Sequence, residues 1–193
     1  MKTTITTLFS VLLFLSLTTG VFCQAGIEIY GGISDAKNKN MSITPEGTSH
    51  AGWHAGVDAR LNEGKMYFIA GLQYHVIDFI AQEDKSYFSS DESYSWTKVR
   101  VGLGYNVINI NENVFFRGHT LLSFNLINGV PSESLNTRIT NYNSGTAGLN
   151  LGLGFDVYNF TIGAAYEIGF FKLVTMMPET EMDFLTLSIG YKI

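Results

Sequence analysis

SGTAGLNLGLGFDVYNFTIGAAYEIGF, residues 144–170, decides the fold. Read with a period of two, it gives two strands around a tight turn at Val157-Tyr158-Asn159. In the first strand, Ala147, Leu149, Leu151, Leu153 and Phe155 share one face. Gly148, Asn150, Gly152, Gly154 and Asp156 take the other. In the second, Phe160, Ile162, Ala164, Tyr166 and Ile168 oppose Thr161, Gly163, Ala165, Glu167 and Gly169. Successive strand side chains point to opposite sides, so this is a hairpin with one apolar and one small or polar face.

The same alternation recurs along the chain. It predicts strands over about Gly26–Ser34, Ala51–Arg60, Met66–Ile77, Thr97–Asn106, Val114–Asn125 and Phe184–Ile193, in addition to the hairpin. That makes eight strands, an even number that suits a closed antiparallel barrel. The connections alternate in length. Asp35–His50, Asp78–Trp96 and Leu126–Asn143 are long and polar; Leu61–Lys65, Val107–Asn113 and Val157–Asn159 are short; Phe171–Asp183 is intermediate. Membrane barrels sort their connections in this way, with short periplasmic turns and long extracellular loops. The fold class expected is all-β: an eight-stranded antiparallel up-and-down transmembrane β-barrel.

The start of the chain reads differently. Lys2 precedes the apolar run Leu8–Leu17, and the single cysteine, Cys23, follows Thr18-Thr19-Gly20. This is the pattern of a secretory signal peptide, residues 1–23, with cleavage after Cys23 or Ala25. An acylated Cys23 is the alternative, although Phe22 sits where a lipoprotein signal takes a small residue. The barrel domain is then 24–193, about 170 residues, a length that fits one domain. Neither cleavage leaves a cysteine for a disulfide or a metal site.

Charge narrows the partners. The formal net charge is −5 with no basic tract, which argues against nucleic acid. Charged residues make up 15% of the chain, against about 25% in soluble domains. Such a chain has apolar surface to place, and a barrel with that surface in lipid does so. The soluble rival is a periplasmic, lipocalin-like ligand binder with the apolar face inward. Its polar face would be dense in Lys and Glu; here that face is mostly Gly, Ser, Thr and Asn, which suits a crowded lumen. Phe68, Tyr105, Phe116, Phe155, Phe160 and Tyr191 fall near short turns, and Trp53, Tyr74 and Phe124 near long connections. Two bands of outward aromatics match interfacial girdles.

Ala51–Asp78, Gly148–Tyr166 and Leu185–Ile193 together resemble the PorT-like family of outer-membrane barrels. A G-x-x-A-G hairpin, a Gly-rich alternating hairpin and a terminal G-Y-K/R-aromatic strand recur in that family; here Ile193 holds the terminal aromatic's place. The resemblance implies the barrel, residence in the bacterial outer membrane, and a link to protein secretion across it. The partners it implies are outer-membrane lipid, the barrel assembly machinery during biogenesis, and an extracellular or secretion-system protein.

On the inward parity stand Glu28, His54, Asp58, Arg60, His75, Lys98, Arg100, Arg117, His119, Glu167 and Lys192. Buried charges need partners, so these read as a structural lumen network. Glu28 opens the first strand and Lys192 ends the last, predicting a pair across the closing seam. A lipid-directed Ser-His-acid hydrolase would need its groups on the outward face, which offers no His or acid. His54 and Asp58 share a face but stand about 13 Å apart along a strand. His54 and His75 approach across a hairpin without any metal-site spacing. The expectation is neither an enzyme nor a cofactor binder.

Overall fold

The computed structural model describes residues 25–38, 50–62, 64–78, 93–128, 143–172 and 181–193. The expected signal segment 1–23, with Cys23, and most of the long connections lie outside the described residues. Eight strands follow one another: β1 (Ala25–Asn38), β2 (His50–Leu61), β3 (Met66–Asp78), β4 (Ser93–Asn111), β5 (Val114–Asn128), β6 (Gly145–Val157), β7 (Phe160–Gly169) and β8 (Met182–Lys192). Each pairs antiparallel with the next, and β8 returns to β1 to close the barrel. The expected up-and-down architecture is met, and closure leaves no strand edge unpaired.

The two parities separate as the alternation requires. Ile29, Ile33, Leu72, Leu103, Leu153, Ile162 and Ile189 are exposed on the outside. Glu28, Asp58, Arg60, Lys98, Arg100 and Glu167 are buried inside. The expected aromatic bands are on the outer face: Phe68, Tyr105, Phe155, Phe160 and Tyr191 near short turns, and Trp53, Tyr74 and Phe124 at the other end.

Several strands outrun their expected ends, because ladder pairing continues where apolar alternation has stopped. β1 continues through Asp35–Asn38, β5 reaches Asn128, and β4 takes in residues 93–96 of the expected long connection. At its other end β4 absorbs Val107–Asn111, leaving Glu112-Asn113 as the turn. Register shifts between Asn106 and Ile108 and between Asn109 and Asn111 break the period there, so Val107, Ile108 and Ile110 are all exposed. The β6–β7 turn is two residues, with Tyr158 in the left-handed region at φ 55°. The longer β1 and β8 also carry Asp35 and Asp183 on the outward parity near the long connections. That corrects the reading of an outer face without acids; Asp183 accepts a hydrogen bond from Tyr166 at 2.8 Å.

The interior is less uniformly small than the sequence suggested. Tyr67, Ile69 and Leu121 pack together inside, and Ile77, Trp96 and Phe184 are buried at the long-connection end. Glycines make room for Tyr67, Leu121 and Ile77: a Cβ on Gly104, for example, would stand 2.3 Å from the Tyr67 ring.

Candidate functional site

The lumen is the candidate site, and its chemistry falls into three tiers. Nearest the short turns, five strands contribute to one cluster. Arg60 of β2 donates to Asp156 of β6 at 2.5 Å and also to Glu28 of β1. Arg117 of β5 donates through Nε to Asp156 at 2.6 Å and through Nη2 to Glu28 at 3.3 Å. Thr161 of β7 donates its hydroxyl to Glu28. Two guanidinium groups therefore bridge two carboxylates, a geometry suited to Arg forks.

One tier further in, Arg100 of β4 donates to both oxygens of Asp58, at 2.8 and 2.6 Å, and to the Tyr30 hydroxyl. Tyr30 in turn donates to Asp58 at 3.4 Å. Toward the long connections, Lys98 donates to Glu167 at 3.0 Å, and Asn125 donates to the other Glu167 oxygen at 2.6 Å. The Lys98 ammonium also lies 3.4 Å from the Phe184 ring centroid, a cation–π contact. The rings of His54 and His75 stack with centroids 5.1 Å apart, and His75 meets the edge of Phe184 at 5.7 Å.

Arg60, Arg117, Arg100 and Lys98 thus face Glu28, Asp156, Asp58 and Glu167, four cations against four carboxylates. This balance is what makes burial of the charges tolerable. Together with Tyr67, Ile69 and Leu121, these pairs occupy the interior of a barrel of the size that side chains just fill.

The inward residues named from the sequence are brought together in part. His119 is inward but joins Asn150 instead of a charge, at 3.1 Å. Glu28 and Lys192 are register partners across the seam, as expected. The Glu28 carboxylate, however, is engaged by Arg60 of the neighbouring β2 and by Arg117 of β5 and Thr161 of β7. Asp156, Tyr30, Thr161 and Asn125 were missed as members, although parity alone had put Asp156 and Thr161 on the inward face.

Among the described residues, the contact that comes nearest to catalytic geometry is His54 Nε2 to Ser188 Oγ at 2.9 Å. The other ring nitrogen, Nδ1, is buried without a hydrogen-bond partner, so no acid orients the imidazole as a triad requires. Among the described residues, no group of three His, Cys, Asp or Glu is placed to hold a metal ion. At the short-turn end a cavity of about 660 Å³ opens, lined in part by Arg60, Lys65, Tyr67, Asp156 and Lys192.

No family model matches the chain, and neither does any curated protein. Among solved structures it is similar to Neisserial surface protein A, with a TM-score of 0.58 and 13% identity over 88% of this chain and 96% of that one. The N-terminal β-barrel domain of Pseudomonas aeruginosa OprF aligns over 89% of this chain and 99% of its own, at 12% identity and a TM-score of 0.46. At 13% identity the first likeness is one of fold, and the fold is a small closed eight-stranded antiparallel barrel.

Proposed function

We propose that the chain is an integral outer-membrane barrel of structural or interaction type, which binds or anchors through its long connections. One observation carries the reading. The outer wall is an apolar belt, with Ile189 at 66% and Ile33 at 65% exposure, while four cations and four carboxylates are buried inside. In water that arrangement exposes what should be buried and buries what should be exposed; in a bilayer both faces are matched. The filled lumen supports a closed plug over a pore, and His54 without an acid partner supports a non-enzymatic role. Protease added to intact cells tests the display: cutting within 79–92 or 129–142 with the barrel left protected is the expected result. A chain untouched on intact cells and cut only after lysis would contradict it.

A second reading, an accessory role in protein secretion as a PorT-like protein, rests on the sequence of the β2–β3 hairpin, the β6–β7 hairpin and β8. Deleting the gene and assaying the medium tests it: loss of secreted proteins supports the role, and an unchanged secretome sets it aside.

A further inference from the structure

Among the described residues, a groove of about 670 Å³ runs across the outer wall from β3 to β8. It follows two cross-strand rows. Met66, Tyr105, Gly118, Leu153 and Ala164 are successive register partners in the first. Leu103, Thr120, Leu151, Tyr166 and Leu185 are successive partners in the second. Gly118, Thr120 and Ala164 are small, and Leu103, Tyr105, Leu153 and Tyr166 rise around them.

The fold does not require the dip. Many inward glycines are pressed by neighbours, but a Cβ on Gly118 would find its nearest atoms at 3.7 Å, ordinary contact distance. A larger residue therefore fits there, and its absence leaves a groove that packing alone does not explain.

The groove has a direction. Met66 is the first residue of β3, beside a short turn, whereas Leu185 lies near the start of β8, beside a long connection. Five strand spacings of about 4.8 Å make roughly 24 Å. Across strands tilted about 40°, that path climbs roughly 15 Å, half of an apolar core about 30 Å thick. Its lower end has a cation: exposed Lys65 directly precedes Met66, and its ammonium stands 5.6 Å from the centroid of the Tyr105 ring.

Charge at the interface, an apolar channel above it and a climb of one leaflet together describe one occupant. We propose that this groove binds a glycerophospholipid of the periplasmic leaflet, with its phosphate at Lys65 and one acyl chain over Gly118, Thr120 and Ala164. This inference rests on the membrane reading above, and Gly118 is the position that makes the chain's bed.

The test is native mass spectrometry of the full chain, folded in detergent micelles with added dipalmitoyl phosphatidylglycerol. The expected result is one lipid retained per chain. Gly118→Phe and Lys65→Glu should each weaken retention by at least about tenfold, and Lys65→Arg should keep it. Equal retention by all variants would overturn the site, as would equal retention of dipalmitoylglycerol, which lacks the phosphate. A lipid-free dimer abolished by Gly118→Phe would overturn it too, because the groove would then seat a second copy. Mobility in cold and boiled SDS, run on the same samples, separates the two ideas. A heat-modifiable band without bound lipid removes the groove proposal alone, whereas a missing shift removes the membrane reading and the groove with it.

Discussion

Arg60 on β2 and Asp156 on β6, 96 residues apart in the chain, meet across the barrel interior at 2.5 Å. Arg60 also holds Glu28, so one side chain ties β1, β2 and β6 together. Arg60→Met would take from Glu28 and Asp156 one of the two guanidinium groups they share. Breaking a buried pair in this way is expected to cost about 3–5 kcal/mol. A lower urea midpoint for unfolding from lipid vesicles would register it. A loss below about 1 kcal/mol, the worth of an exposed pair, would mean that water reaches the cluster.

Lys98 and Glu167 form a more isolated pair, closed by Asn125 and Phe184. Lys98→Met and Glu167→Met should each be strongly destabilising, because each strands a buried charge. The double variant should cost less than the sum, with a coupling of about 1–3 kcal/mol in a double-mutant cycle. Additive losses would show that the two groups do not depend on one another.

Leu153 is exposed on the outer wall, midway along β6 between Gly152 and Gly154 on the inner face. Leu153→Arg is expected to cost about 2–4 kcal/mol in vesicles, the penalty for a cation near a bilayer midplane. With water instead of lipid around this same outer wall, the substitution would stay within about 0.5 kcal/mol. The sign and size of this one difference read the polarity of the solvent around the barrel.

Gly104 and Gly118 lie on facing strands with opposite demands. Gly104→Ala drives a methyl into the Tyr67 ring, 2.3 Å away, and should cost about 1–3 kcal/mol through overpacking. Gly118→Ala has 3.7 Å of clearance and should be neutral within about 0.5 kcal/mol. Thermal or urea unfolding of the two variants side by side checks the contrast, and equal losses would contradict it.

Strand number, faces and closure were legible because a half-buried strand writes its environment at every second residue. β7 was read to its observed ends, Phe160 and Gly169, since alternation there runs unbroken between two turns. The reading fell short where a different force sets the structure. Past Ser34 and before Thr97 no apolar alternation marks the strand, and only hydrogen bonding to neighbours extends β1 and β4. In Val107–Asn111 two register shifts uncouple face from parity, which a period of two does not represent.

The lumen was legible as composition and illegible as pairing. Parity put Glu28, Arg60 and Arg117 inside, but the choice of partner depends on side-chain reach, diagonally to the next strand for Arg60 and farther around the lumen for Arg117, and not on register alone. Glu28 therefore lies beside Lys192 in register while its oxygens go to Arg60, Arg117 and Thr161. The large inward side chains, Tyr67, Trp96 and Phe184, were hidden for a related reason. Tyr67 is admitted by Gly104, its register partner on the neighbouring strand, and that compensation shows only once the register is known.

The central claim is that the apolar wall faces lipid. The most direct measurement is electrophoretic mobility of the outer-membrane fraction in SDS, with and without boiling. A closed barrel whose wall is matched to a membrane should stay folded in cold SDS and run at a shifted position, and boiling should abolish the shift. A chain recovered soluble from the periplasm, with one mobility under both conditions, would contradict the account: the apolar face would then have to line a cavity.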